Sequence, residues 1–125
     1  MRVIAALFVA CLAACHITPV RAGADLDLAG RLHALVMEAV KSYGQLNEPK
    51  VMAACIEWRT PDTGEIRLHN VFIAYTGEAS DVPIFVTSLA QKGLHNCRKW
   101  ASSENVHCTC QMLDQNGKNV LEVPE

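Results

Sequence analysis

The chain has 125 residues, half of them hydrophobic, with 11 basic and 13 acidic side chains and a formal net charge of −2. That length holds one small domain with a modest core, and the mild acidity argues against a nucleic-acid-binding surface. Six cysteines in so short a chain put disulfides and metal binding ahead of other chemistry.

Met1-Arg2 is a short positive start, and Val3 to Ala14 is an unbroken apolar run. This is the pattern of a secretory signal, too short to span a bilayer as a permanent helix. No second long apolar run follows, so the mature domain is expected to lack a transmembrane segment. Two cleavage readings stay open. Leu12-Ala13-Ala14-Cys15 has the form of a lipobox, which would make 1–14 the signal and leave a lipidated Cys15 as the new N-terminus. Val20-Arg21-Ala22 offers modest or small residues where a signal peptidase reads, which would make 1–22 the signal and 23–125 the domain. Cleavage after Ala22 removes Arg2 and Arg21, leaving nine basic against 13 acidic residues. Either reading leaves four domain cysteines: Cys55, Cys97, Cys108 and Cys110.

After a polar lead-in with Asp25 or Asp27 as N-cap, Leu28, Leu32, Leu35, Ala39, Tyr43 and Leu46 recur at helical spacing. Asp27, Arg31, Glu38, Lys41 and Gln45 lie off that stripe, so an amphipathic helix is expected. Gly44 and Asn47-Glu48-Pro49 end it. Val51–Arg59 and Ile66–Tyr75 read as paired strands around the turn residues Thr60 to Gly64. Met52, Ala54, Ile56 and Trp58 form the better apolar face of the first strand, with Cys55 on the other. The second strand becomes apolar throughout from Val71 to Tyr75, a pattern that asks for cover on both faces.

Asp81 or Ser80 can cap a second helix, Val82–Trp100, with Pro83 in its first turn. Its stripe is Val82, Val86, Leu89, Gly93, Cys97 and Trp100, and Gly93 would let it approach the sheet closely. A strand over Val106–Leu113 places Val106, Cys108, Cys110 and Met112 on one face. Asn116-Gly117 is a two-residue hairpin turn, with Val120–Val123 as the returning strand. The order predicts an α+β fold, helix-hairpin-helix-hairpin, with a four-stranded antiparallel sheet packed on helices.

The leader resembles those of bacterial envelope proteins. The C-terminal third, a helix with a late cysteine followed by a cysteine-bearing strand and hairpin, looks like small bacterial exported domains of unknown function. That resemblance implies a periplasmic or cell-envelope location rather than an activity.

An even number of cysteines in an exported domain favours bridges. Cys97 with Cys108, across a short loop, is the preferred pair, which leaves Cys55 with Cys110. The alternative is a copper or zinc site drawn from His95, Cys97, His107, Cys108 and Cys110, although neither C-x-C nor H-x-C spacing is a zinc-finger pattern. Thiol redox work by Cys108 and Cys110 is disfavoured, because such pairs usually sit at a helix N-terminus. G-x-S-x-G, phosphate-loop and H-E-x-x-H patterns are absent from the sequence. Trp58 and Trp100 lie on inner faces and read as core.

The expectation is a non-enzymatic, cofactor-free envelope protein, a disulfide-stabilised module that binds a protein or the cell wall. It would bind no nucleic acid, would touch the membrane only through a lipid anchor, and has the option of a homodimer. The alternative is a periplasmic factor that handles copper, zinc or thiols.

Overall fold

The computed structural model describes residues 25–77 and 83–124. The leader, Cys11, Cys15, both cleavage points and the proposed caps Ser80 and Asp81 lie outside the described residues. The elements are α1 (Asp25–Ala39), α2 (Lys41–Gly44), β1 (Lys50–Glu57), β2 (Arg67–Tyr75), α3 (Pro83–Ser103), β3 (Thr109–Gln115) and β4 (Lys118–Asn119). The strands form one antiparallel sheet in the order β2-β1-β3-β4, so the class is α+β. Among the described residues no helix is long and apolar enough to cross a membrane.

β1 is the centre of the molecule. Val51 to Ile56 are each no more than 1% exposed, so the strand is buried on both faces. Met52, Ala54 and Ile56 join a core with Leu28, Leu32, Val36 and Val40 of the first helical segment, with Tyr43 of α2 and with Leu68, Val71 and Leu113. Ala53 and Cys55 face the other way and meet Phe72 of β2 and Cys97 of α3, with Trp100, Cys108, Cys110 and Met112 around them. Val51, Ala74 and Leu89 extend that second core. Each fully buried aliphatic side chain contributes roughly 1.5–3 kcal/mol of hydrophobic stabilisation.

The first helix differs from the expectation. It is already helical at Asp25, the first described residue, which puts Asp27 inside it rather than at its cap. It stops at Ala39, because Val40 leaves helical geometry (φ −122°, ψ 62°) and α2 starts afresh. The buried row is therefore the i+4 series Leu28, Leu32, Val36 and Val40, continued by Tyr43. Leu35 is half-buried and Ala39 is exposed.

Two bulges set which side chains enter each core. The β1–β2 register shifts between Cys55 and Ile56, and the β1–β3 register shifts between Met52 and Ala53. In the second bulge Leu113 is the extra residue. Leu113 and its neighbour Asp114 are consequently both buried, against the strict alternation of a regular strand.

α3 runs from Pro83 to Ser103 and crosses the sheet closely at Gly93. A Cβ there would lie 3.5 Å from Ala53 Cβ and 3.9 Å from Phe72 O. The Phe72 and Trp100 rings pack 5.9 Å apart, tilted by 59°.

Thr60 to Gly64 turns the first hairpin, Thr60 N–H donating to Glu65 O at 2.9 Å and Gly64 at φ +72°. In the last hairpin Asn116 (φ 53°) and Gly117 (φ 84°) both take positive φ, as a mirror-image two-residue turn requires. The returning strand is Lys118–Asn119 and not Val120–Val123. The Leu113 bulge breaks the ladder there. Val120 N–H still donates to Leu113 O at 3.0 Å, after which Gln111 Nε2 holds Glu122 O at 2.7 Å and Leu121 turns into the core.

Candidate functional site

Two clusters of reactive side chains lie on opposite sides of β1. The first gathers all four domain cysteines. Cys55 comes from β1, Cys97 from α3, Cys110 from β3, and Cys108 from the residue preceding β3. The two-residue spacing of Cys108 and Cys110 turns both toward the face that Cys55 occupies, and the α3 stripe brings Cys97 onto them. The bridges are Cys55–Cys108 and Cys97–Cys110, with Cα–Cα distances of 5.3 and 5.9 Å.

This corrects the expected pairing of Cys97 with Cys108 and Cys55 with Cys110. Proximity in sequence favoured Cys97 with Cys108, but α3 runs on to Ser103 and Cys97 bonds to Cys110 instead. Cys55 and Cys110 are opposed across the ladder, as the expected pair required, yet their sulfurs bond elsewhere.

Cys55 and Cys97 are fully buried, while Cys108 and Cys110 are half-buried. The Sγ atoms of Cys55, Cys97 and Cys108 all lie within 4.8 Å of one another. His95 and His107, offered as ligands by the sequence, are exposed and do not join this group.

The second cluster went unread in the sequence. Asp114 is fully buried, and its carboxylate accepts three hydrogen bonds. His33 Nε2 lies 2.7 Å from Oδ1, Tyr43 OH donates to Oδ2 at 2.6 Å, and Gly117 N–H donates to Oδ2 at 2.8 Å. The Tyr43 phenol is held far above its ordinary range. Burial is the largest cause, followed by the hydrogen bond to Asp114 and the negative charges of Asp114 and Glu48. It is therefore a neutral donor.

Lys50, itself 6% exposed, donates from Nζ to Tyr43 O at 3.0 Å and Gly44 O at 3.3 Å, and sits 4.8 Å from the Tyr43 ring centroid. It thus satisfies carbonyls at the end of α2 and adds a cation–π contact. Among the described residues every buried side-chain nitrogen or oxygen has a partner. Asp114 sits in Leu-Asp-Gln-Asn-Gly, which reads as a strand running out into a turn. A signal did exist in the strong Asn-Gly turn, since an aspartate three residues before its glycine can reach the glycine N–H.

A third pair, His69 Nε2 and Glu57 Oε1, lies 2.9 Å apart across β1 and β2 at about one-fifth exposure each. Tyr75, at the end of β2, is the exposed large hydrophobic side chain among the described residues, at 51%. Trp58 is half-buried with Nε1 donating to Gln111 Oε1 at 2.7 Å, which anchors it to β3.

No protein-family model, no curated protein and no solved structure matches this chain.

Proposed function

We propose that this chain is an exported envelope protein, a disulfide-stabilised module that binds a protein or the cell wall and carries out no reaction of its own. The elements are read as helix, hairpin, helix, hairpin, with the sheet lying between the helices. The observation that carries the binding reading is Tyr75. It stands half-exposed at the end of edge strand β2, while β1 and most of β2 are spent on internal packing. An aromatic ring with a polar tip at a strand end is the kind of side chain that anchors interfaces. Two bridges in a small domain support an oxidising compartment. The His33–Asp114–Tyr43 cluster supports a structural role over a catalytic one, because both carboxylate oxygens are engaged inside the core.

The test compares wild type with Tyr75→Ser for retention on isolated cell-wall material and on immobilised envelope proteins. Gel filtration of both should follow, to register a homodimer. The expected outcome is binding by wild type, its loss in Tyr75→Ser, and an unchanged melting temperature. Equal retention of the two proteins would remove Tyr75 from the interface. Intact-mass measurement of the envelope-fraction protein should give a chain beginning at lipidated Cys15 or at Gly23. A chain that keeps Met1 in the cytosol would overturn export.

A further inference from the structure

We propose that the four cysteines, when reduced, form a tetrathiolate site for a thiophilic divalent cation, with Zn²⁺ the ion that the geometry fits. The proposal stands apart from the binding reading above and rests on the placement of sulfur. Sγ of Cys55, Cys97 and Cys108 lie within 4.8 Å of one another, and Cys110 Sγ adjoins them through its bond to Cys97. In a tetrahedral zinc–thiolate centre the Zn–S bond of ~2.3 Å sets the sulfurs roughly 3.8 Å apart. Reduction lets each bonded pair open from the ~2.05 Å of a disulfide towards that spacing, while the longest separation among Cys55, Cys97 and Cys108 has to close by about 1 Å or less.

Three of the sulfurs are presented by β1, α3 and β3 and the fourth by Cys108 just before β3, and all four pack into one core. Cys55 and Cys97 form the closed inner side, and the half-buried Cys108 and Cys110 give an ion its way in. Four soft ligands in that arrangement match a closed structural zinc site and leave no open position for a catalytic water. The spacing hid this set. Its ligands are not a C-x-x-C pair, and Cys55 lies far from the other three in sequence.

The same sulfurs serve either state, so bridges and ion exclude each other. Two equivalents of a dithiol reductant take the chain from one to the other. Each dithiol gives two electrons and two protons to one bridge, leaves two cysteine thiols on the chain, and closes its own ring disulfide. Zn²⁺ then displaces the four thiol protons to solvent as the four Zn–S bonds form.

The experiment reduces the full mature chain with a dithiol, removes the reductant anaerobically, and titrates Zn²⁺ against a chromophoric chelator. The melting midpoint is followed by circular dichroism. One equivalent of Zn²⁺ should bind per reduced chain and raise its melting midpoint, while the bridged chain should not compete with the chelator. Cys108→Ser should weaken binding by more than about tenfold, a loss that even an outer-shell change can cause. His95→Ala and His107→Ala should bind as wild type does. Absence of binding by the reduced chain would overturn the proposal. So would equal binding by the bridged chain, or loss of binding in either histidine variant. Binding without a rise in melting midpoint would also overturn it, since that is chelation by unfolded thiols.

Discussion

Tyr43 and Asp114 stand 71 residues apart in sequence, and the phenol donates to the carboxylate at 2.6 Å inside the core. One partner comes from the short helix after the Val40 break and the other from the strand after the Leu113 bulge. Two local irregularities therefore meet in one charge-assisted hydrogen bond, which fixes the helical segment against the last hairpin.

Asp114→Ala strips the acceptor from His33, Tyr43 and the Gly117 N–H together. We expect a loss of about 3 kcal/mol or more, since several buried donors are left unpaired. Tyr43→Phe removes one donor and keeps the ring beneath Lys50, and should cost about 1–3 kcal/mol. Urea melts give both values. A Tyr43→Phe loss equal to that of Asp114→Ala would mean that the His33 and Gly117 contacts contribute nothing.

Stability should also depend on alkaline pH through Tyr43. Its folded-state pKa lies above the ordinary value of 10.0, so in the alkaline range the unfolded chain releases this proton while the folded chain keeps it. The unfolded state then binds fewer protons, and stability falls as pH rises past about 10, by roughly 1.4 kcal/mol per pH unit for one such group. Below that pH the group is protonated in both states and contributes no slope. Urea melts at pH 9, 10 and 11 should show the decline in wild type, and Tyr43→Phe should lack that component.

The two bridges should differ in worth. Cys55–Cys108 spans 53 residues and Cys97–Cys110 spans 13. In the chain-entropy model closure of these loops stabilises by about 4 and about 3 kcal/mol. The paired replacement Cys55→Ser with Cys108→Ser should therefore cost about 1 kcal/mol more than Cys97→Ser with Cys110→Ser. Denaturant midpoints decide the order, and tandem mass spectrometry of the unreduced chain checks the pairing. As a control, exposed Thr109→Ser should change stability by less than about 1 kcal/mol.

Gly93 is buried, but its nearest neighbour would stand 3.5 Å from an added methyl, an ordinary contact distance. Gly93→Ala should therefore be neutral or stabilise by up to about 1 kcal/mol, through the better helix propensity of alanine. Gly93→Leu has no room between α3 and β1 and should destabilise by about 1–3 kcal/mol. Thermal melts of the two variants provide the check.

Much of the sheet is legible in the sequence because its signals are local. Alternation in Met52, Ala54 and Ile56, the apolar run from Val71, and the Asn116-Gly117 turn each act within a few residues. The face shared by Cys108, Cys110 and Met112 follows from strand parity, and Gly93 from its place in the helical stripe. What escaped depends on register. A bulge is one inserted residue, and it carries no composition of its own. Leu113 turned Asp114 inward, and no periodicity could find His33 as its partner 81 residues away. The cysteine pairing failed for a related reason. Two cysteines two residues apart on one face present nearly equivalent sulfurs, and sequence spacing does not choose between them.

Both bridges end on Cys108 and Cys110, two residues apart at the start of the β3 segment, and this has a mechanical consequence. Under a pull applied to the two ends of the chain, force passes from Cys55 straight to Cys108 through sulfur and bypasses everything between them. β2 and α3 bear none of the tension, and the chain can lengthen only through residues outside that shortcut. The helical segment from Asp25 to Gly44 lies outside it, held by non-covalent contacts such as its packing, the Asp114 hydrogen bonds and the Lys50 bonds to Tyr43 and Gly44. A chain tethered at its N-terminus would therefore yield at α1 first, while the cysteine-bearing core stayed shut.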